Sequence, residues 1–321
     1  MSGADGVGTM RVGISSCLLG NEVRFDGGHK HDPYITATLG QFFAWVPVCP
    51  EVEMGLSTPR ETLRLIGDAV APRLVFAKTG ADQTDAMQAW AVKRLKALAD
   101  LELCGYILKS KSPSCGMERV RVYGASGMPA KHGVGIFARA LLAAFPLLPV
   151  EEEGRLHDLG LRENFVERVF AYRRWRDLVE SGLTRGRLVA FHTAHKLLLM
   201  AHSPKHYAAL GRLVADAKAQ LPRALESAYG AQFMEALRVP ATPKKQVNVL
   251  QHILGYLKRD LDAGDKTELL QVIGDYHRGL VPLIVPLTLL KHHLKRIGVP
   301  YVLDQVYLEP HPKELMLRNH V

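Results

Sequence analysis

Three short apolar runs in the N-terminal half of the chain each end in a loop that carries a cysteine. The runs cover 10–15, 42–48 and 103–109, and the loops that follow them read SSCLLG, CPE and SKSPSCG. Short β-branched runs that alternate with helical spacing are typical of an α/β layer with a largely parallel sheet. Because parallel strands end at one edge of an open sheet, where α/β folds bind ligands, we expect these loops to meet there.

The cysteines in these loops are Cys17, Cys49 and Cys115, whereas Cys104 lies inside the third run and is predicted to be a core residue. The spacing of the three cysteines along the chain matches no compact metal-binding motif. On this evidence, a shared metal or cluster site and three unrelated buried thiols are about equally well supported. If the three thiolates share a metal, whether a tetrahedral zinc or one corner of a cubane cluster, one coordination position stays open. An open position indicates catalysis, and a soft open iron favours a sulfur atom from the substrate.

The length of 321 residues favours two domains. We predict a disordered lead over 1–10, an α/β, Rossmann-like domain with a mainly parallel sheet over 11–150, and a mainly α-helical domain over 151–321. The segment PLLPVEEEG, at 146–154, is predicted to link the two domains. After it, apolar residues recur at amphipathic helical spacing. The breaks between these helices carry prolines: Pro204, Pro222, Pro240 and Pro243.

Composition argues against a membrane protein and a disulfide scaffold. The apolar fraction of 47% is average for a globular chain, and no run of eighteen apolar residues occurs. The N-terminal MSGADGVGTM lacks the basic region and apolar stretch of a secretory signal, so the predicted compartment is the cytoplasm. In a reducing cytosol, four cysteines more often serve as ligands, nucleophiles or core residues than as disulfides.

Three longer motifs surround the loop cysteines. They are SSCLLG with the following VRFDGG, then VCPEVEMGLSTPRE, then KSKSPSCG. Together they resemble the signature segments of the thiouracil desulfurase family, in matching order over about residues 11–150. The resemblance implies a [4Fe-4S] cluster with three protein ligands, Cys17, Cys49 and Cys115, and one open iron for the substrate's sulfur. It also implies a thiolated pyrimidine substrate and a hydrolytic desulfidation that releases sulfide without net electron transfer.

Three polar residues within the motifs are candidates for catalysis. Glu51, two residues after Cys49, is placed to transfer protons at the ring nitrogen and the attacking water, a role that the resemblance also implies; the alternative is a solvated or capping carboxylate. Ser112 resembles a second active-site position of the family and could hydrogen-bond the substrate, although Ser-Pro also initiates turns. Asp26 could orient a loop near the cluster, although Asp-Gly is first of all a turn signal.

Positive charge is concentrated in the second half of the chain. The net charge is +9, and residues 181–259 contain 12 Lys or Arg against three acidic residues. The segments AFHTAHKLLLMAHSPKHY and TPKKQVNVLQHILGYLK resemble a helical family often fused to the desulfurase domain. Six basic residues near histidines and Tyr207 form a predicted RNA-phosphate patch, for which the alternative is a solvated helix surface. They are Lys196, Lys205, Lys244, Lys245, Lys258 and Arg259.

This fusion bears on the substrate. A thiolated base inside an RNA must be held by its backbone and exposed before it reacts, whereas free thiouracil needs no such partner domain. We therefore expect 4-thiouridine in tRNA to be the substrate, and proteins with this pairing resemble tRNA 4-thiouridine desulfidases. Two alternatives remain: a desulfidase of free thiouracil or thiouridine nucleotides, and a cluster-containing RNA-binding or redox-sensing protein.

Histidines are also concentrated in the second half, with eleven of 14 at residues 155–321. His192 and His195 are three residues apart and His202 and His206 four apart, so each pair could share a helix face and bind a metal. No carboxylate or cysteine lies among them to complete a ligand set. Internal packing, or contact with phosphate, explains these histidines at least as well as metal binding does.

Overall fold

The structure is a computed structural model that describes residues 10–124 and 128–320. The chain divides into two compact units, Met1–His157 and Asp158–Val321. Most of the predicted lead lies outside the described residues, and Met10 already begins the first strand. Within the part of the chain that is described, no helix is both long and apolar enough to cross a membrane.

In its described residues, the first unit is an α/β structure of eight strands and three α-helices. The strands are β1 (Met10–Ser15), β2 (Phe43–Val48), β3 (Leu63–Ile66), β4 (Arg73–Phe76), β5 (Gly105–Leu108), β6 (Val120–Tyr123), β7 (Pro129–Gly133) and β8 (Val150–Glu152). The helices are α1 (Pro50–Glu53), α2 (Thr84–Ala99) and α3 (Ile136–Ala144).

One sheet has the order β2-β1-β5-β8, and all its strand pairs are parallel. This confirms the predicted α/β class with a mainly parallel sheet, and the three apolar runs form its strands β2, β1 and β5. The segment 146–154 does not form the predicted linker. Its residues Val150–Glu152 form the buried strand β8, which pairs with β5, and the carboxylates of Glu151 and Glu152 are held by Arg155 and by the backbone N–H of Met117.

Close packing across this sheet depends on a glycine in its central strand. A Cβ atom on Gly13 would lie 2.2 Å from the ring of Tyr106, so only glycine leaves room for that side chain. Tyr106 is fully buried and packs 6.1 Å from the ring of Phe137 on α3, measured between centroids. Phe137 in turn contacts Trp90 on α2. This aromatic stack fixes α2 and α3 against the sheet.

A second sheet, which we did not predict, has the order β4-β3-β6-β7. Its outer pairs are antiparallel, and β3 pairs with β6 in parallel. Leu65, Leu74 and Val122 are buried on one face, so residues at alternate positions point to the other face.

The second unit consists of α-helices with short 3₁₀ turns, which confirms the mainly α-helical prediction. The helices are α4 (Leu159–Glu180), α5 (Arg185–His202), α6 (Pro204–Ala215), α7 (Pro222–Arg238), α8 (Pro243–Leu257), α9 (Ala263–His277), α10 (Ile284–Ile297) and α11 (Pro300–Leu303).

The ends of these helices follow from local chemistry. Pro204, Pro222 and Pro243 stand at the first helical position, where a missing N–H costs nothing. Ser203 accepts a hydrogen bond at the start of α6 through its side chain. In the core, Trp175 stacks on a tyrosine ring with centroids 5.2 Å apart.

Candidate active site

The three loop cysteines meet at one edge of the parallel sheet, as the strand-end argument predicts. Cys17 lies in a 3₁₀ turn directly after β1, Cys49 precedes α1 directly after β2, and Cys115 lies in the loop between β5 and β6. These three strands are neighbours in the sheet. All three cysteines line a cavity of about 410 Å³, which we call the cysteine cavity. Cys104 is fully buried just before β5, as predicted for a core residue.

Burial makes these three thiols poor acids in the absence of a bound cation. It raises the pKa of Cys17 to about 11, partly opposed by the positive charge of Lys109. Burial also raises the pKa of Cys49 and that of Cys115. Neighbouring cysteines add to the rise in pKa at Cys17 and Cys115, because negative charges on adjacent thiolates repel, and the carboxylate of Glu51 adds to the rise at Cys49. A bound metal centre would reverse this preference, since coordination deprotonates a thiol outright.

The three thiols are suitable donors for an iron–sulfur cluster. Among residues 10–124 and 128–320, no group of three Cys, His, Asp or Glu side chains could hold one metal ion. A zinc ion requires every thiolate at about 2.3 Å from one point. In a cubane cluster each thiolate binds a different iron, so the thiolates stand farther apart around a larger body. Cys17, Cys49 and Cys115 line one cavity and supply thiolate donors of the kind that such a cluster uses.

Glu51 lies in the lining of the cysteine cavity and is held from two sides. Arg60 donates to Oε2 of Glu51 through Nε at 3.0 Å and through Nη2. The buried Ser114 donates from Oγ to the other carboxylate oxygen at 2.6 Å. Arg60 also donates to the carbonyl of Val23 at 3.0 Å, which ties it to the opposite loop. The carboxylate is therefore fixed in orientation and is not a freely solvated group.

The sequence did not reveal Arg60 or Ser114. Each lies inside a motif, STPRE and SPSC, but nothing local to those motifs indicates a partner for Glu51. Ser112 lines the cavity two residues before Ser114, and their hydroxyl oxygens are 2.9 Å apart. Its oxygen also accepts from the backbone N–H groups of Ser114 at 3.2 Å and Cys115 at 3.1 Å. Ser112 thus shapes the loop that carries Cys115 while it lines the cavity.

Asp26 lies outside the lining of the cysteine cavity. Its side chain is about half exposed and accepts from the backbone N–H of Gly28 at 3.1 Å. That hydrogen bond, assisted by the nearby charge of Arg24, lowers the pKa of Asp26. The contacts are those of an Asp-Gly turn, and it is the adjacent Phe25 that reaches the cavity.

The cavity lining is predominantly basic, because five cationic residues accompany the single carboxylate of Glu51. The cationic residues are Arg24, Lys30, Arg60, Lys109 and Lys111. Lys109 is paired with Glu153, which also accepts from the backbone N–H of Ser110 at 2.7 Å. Positive charge around three thiols would stabilise their thiolate forms and an anionic ligand.

The six basic residues predicted to bind RNA all lie in the helical unit, with different exposure. Lys205, Lys244, Lys258 and Arg259 are exposed, and Lys196 is half-buried. Lys245 is engaged internally, since its Nζ donates to the carbonyls of His202 at 2.7 Å and Pro240 at 3.2 Å. The first five are available to a ligand, whereas Lys245 closes the C-terminal end of α5.

The histidines of α5 and α6 are held by protein partners. His192 is buried with Nδ1 at 3.1 Å from the hydroxyl of Tyr229, and Nδ1 of His195 lies 2.7 Å from the carbonyl of Phe191. His202 bridges a carboxylate and a backbone carbonyl. Nδ1 of His206 lies 2.8 Å from the hydroxyl of the N-cap serine of α6. In the described part of the chain these contacts match internal packing, the alternative to a metal site.

Comparison with known proteins gives a match for each unit. Residues 12–153 match the family described as 2-thiouracil desulfurase, and residues 196–312 match a protein family of unknown function, DUF1722. The chain is 35% identical over 153 residues to the uncharacterized protein YbgA of Escherichia coli K12, a similarity that covers 47% of this chain and 90% of YbgA. It is also 35% identical over 108 residues to the uncharacterized protein YbbK of Bacillus subtilis 168, covering 32% of this chain and 71% of YbbK.

Among solved structures, the chain is similar to the [4Fe-4S]-dependent thiouracil desulfidase TudS. The two are 30% identical, and the similarity covers 48% of this chain and 97% of the TudS chain with a TM-score of 0.38.

Proposed function

Because the chain belongs to the 2-thiouracil desulfurase family, we propose that it is a [4Fe-4S]-dependent desulfidase that converts 4-thiouridine in tRNA to uridine and releases sulfide. The observation that carries the proposal is the cysteine cavity. Three cysteines surround it, and a carboxylate with a fixed orientation faces the same space.

In this proposal Cys17, Cys49 and Cys115 hold the cluster. With three protein ligands, such a cluster would supply one open iron, a soft Lewis acid with affinity for the sulfur of a thiocarbonyl group. The basic residues that line the cavity stabilise the thiolates, whose pKa values are otherwise raised by burial. The apolar part of the cavity lining, which includes Val23, Phe25 and Leu63, suits the flat face of a pyrimidine ring.

Glu51 is the proposed general acid and base. The overall reaction exchanges the C=S bond for a C=O bond: water supplies the oxygen, sulfur leaves as sulfide, and no oxidant or reductant is consumed. Protons must therefore leave the attacking water and move at the ring nitrogen, which is the role of a positioned carboxylate. Arg60 and Ser114 hold that carboxylate, and Ser112 supports Ser114, since their hydroxyl oxygens are 2.9 Å apart.

The choice of tRNA over a free nucleotide is supported by charge. A base within RNA needs a protein surface that holds its backbone, and five of the predicted phosphate-binding residues are at least partly exposed on the helical unit. A desulfidase of free thiouracil or thiouridine nucleotides remains the second candidate, because the cavity volume of about 410 Å³ accommodates a single base by itself.

The test uses the full chain purified without oxygen, with cluster content measured by iron assay and visible absorbance. Thiolated tRNA and 4-thiouridine monophosphate are supplied separately, and loss of thiocarbonyl absorbance and release of sulfide are followed. We expect kcat/KM to be higher for thiolated tRNA. Equal values for both substrates would reject the tRNA assignment, and a colourless protein that carries zinc would reject the cluster.

Glu51→Gln tests the acid–base role. This variant keeps the size of the side chain and one oxygen that can accept from Arg60, but it can neither take up nor release a proton, so turnover should fall by about 10²-fold or more while cluster content is retained. Glu22→Gln, an exposed carboxylate in the loop after the first cysteine, is the matched control and should keep full activity. A Glu51→Gln enzyme with intact cluster and full turnover would show that another group moves the protons.

A further inference from the structure

A second cavity in the first unit lies beside the cysteine cavity and is lined by an excess of positive charge. It has a volume of about 730 Å³. Four residues line both cavities, so the two spaces are adjacent: Leu63, Ser110, Lys111 and Pro113. The remaining cations come mainly from the second sheet. We call this cavity the basic groove.

Three of its cations form a row across neighbouring strands. Arg121 on β6 is the register partner of Lys131 on β7. In the parallel β3–β6 pair, Leu65 is the register partner of Val122, so Arg64, one residue earlier on β3, stands beside Arg121. Arg121 is therefore flanked by Arg64 on one side and by Lys131 on the other. All three side chains are exposed, on the face opposite the buried Leu65 and Val122. Like charges at adjacent cross-strand positions destabilise a sheet, so the row has a cost that a bound polyanion would remove.

The acidic residues of the groove do not neutralise this row. Glu118 lies 3.3 Å from Arg155 and 3.7 Å from Arg119, and these two arginines account for its charge. Glu152 is buried and accepts from the backbone N–H of Met117 at 2.8 Å. Both carboxylates are occupied by residues outside the row.

The cations of the row, together with Lys111 at the boundary with the cysteine cavity, are therefore available to a ligand. In the described residues, none of the four lies within ion-pair distance of a carboxylate. Tyr123 lies in the same groove, and the guanidinium carbon of Arg64 is 5.5 Å from the centroid of its ring. Cations with an adjacent aromatic ring are the combination that binds nucleic-acid strands, by phosphate contacts and stacking.

We propose that the basic groove binds the sugar–phosphate backbone of the RNA that carries the thiolated base, next to the nucleotide that enters the cysteine cavity. This inference rests on the proposed function for the identity of the RNA, and it places an RNA contact on the catalytic unit itself, in addition to the patch on the helical unit. The cross-strand row holds the phosphates, and Lys111 contacts the strand where the two cavities meet.

The test compares two triple variants of the full chain that lose the same three positive charges. The groove variant is Arg64→Gln, Arg121→Gln and Lys131→Gln. The control variant is Lys78→Gln, Lys93→Gln and Lys96→Gln, three exposed lysines that line neither cavity. Binding of unthiolated tRNA is measured by fluorescence anisotropy over a range of salt concentrations, and kcat/KM is measured for thiolated tRNA and for 4-thiouridine monophosphate.

The groove variant should bind tRNA about tenfold more weakly or worse at low salt. The slope of log K against log salt should become shallower by about 2 to 3, because each lost phosphate contact removes about 0.7 to 0.9 from it. The control variant should stay close to the wild type, and cluster content and turnover of the monophosphate should be retained in both.

Equal tRNA binding by the two triple variants, or no tRNA binding by the wild type, would overturn the inference. Loss of activity on the monophosphate with unchanged tRNA binding would assign the groove to a free nucleotide and overturn it as well. Since binding is measured with unthiolated tRNA, a wild type that binds through the groove yet releases no sulfide would reject only the proposed function.

Discussion

The hydroxyl of Ser114 offers a sharp test of how Glu51 is oriented. Ser114→Ala removes a single oxygen atom that donates to the carboxylate at 2.6 Å and lies 2.9 Å from the oxygen of Ser112. A hydrogen bond to a charged group contributes about 1.5–3 kcal/mol, which corresponds to about 10- to 100-fold in rate. Because Arg60 still holds the other carboxylate oxygen, we expect the lower end, about a tenfold fall in kcat.

The assay is steady-state desulfidation by anaerobically prepared enzyme, with cluster content measured in the same samples. A positioning role predicts that kcat falls while KM and cluster content change little. Ser57→Ala is the control, since its hydroxyl donates to the carbonyl of Pro59 in the loop that also carries Arg60 and has no contact with Glu51. Full kcat in Ser114→Ala with an intact cluster would refute the orienting role of this hydrogen bond.

Three further predictions concern the core and the cluster. Glu167→Gln should lower the free energy of unfolding, measured by urea titration at neutral pH, by about 3–5 kcal/mol. The reason is that Arg318, at 2.9 Å, and His202, at 2.8 Å, then lose a buried ionised partner. An unchanged urea midpoint would contradict this. Burial raises the pKa of Glu163 from 4.5 to about 7, so near pH 6 the folded state keeps a proton that the unfolded chain releases. The contribution of Glu163 to the free energy of unfolding therefore falls as pH rises from about 5 to 7. Glu163→Gln should flatten that decline. Cys104→Ala should retain the visible absorbance and iron content of the cluster, and their loss would mean that this cysteine is a ligand.

Local sequence determines three of the four strands of the parallel sheet and the cysteines at their ends, whereas β8 was predicted to be a linker. The apolar runs that become β1, β2 and β5 alternate with helical spacing, and parallel strands necessarily end at one edge. For the same reason Cys104, inside a run, could be assigned to the core. Amphipathic spacing and prolines at first helical positions likewise determine the helical second unit, since both signals act within a few residues.

Only tertiary structure decides which side chains meet across long separations. Glu51 is held by Ser114, 63 positions away in the chain, and no local periodicity encodes that contact. The short strands of the second sheet carry Arg64 and Arg121, which look like ordinary surface charges until β3 pairs with β6. Strand register and loop packing, which are fixed by the whole core, bring such residues together. The sequence by itself therefore determined the cysteines and their sheet edge, whereas the fold decided how Glu51 is held and where positive charge gathers beside the cavity.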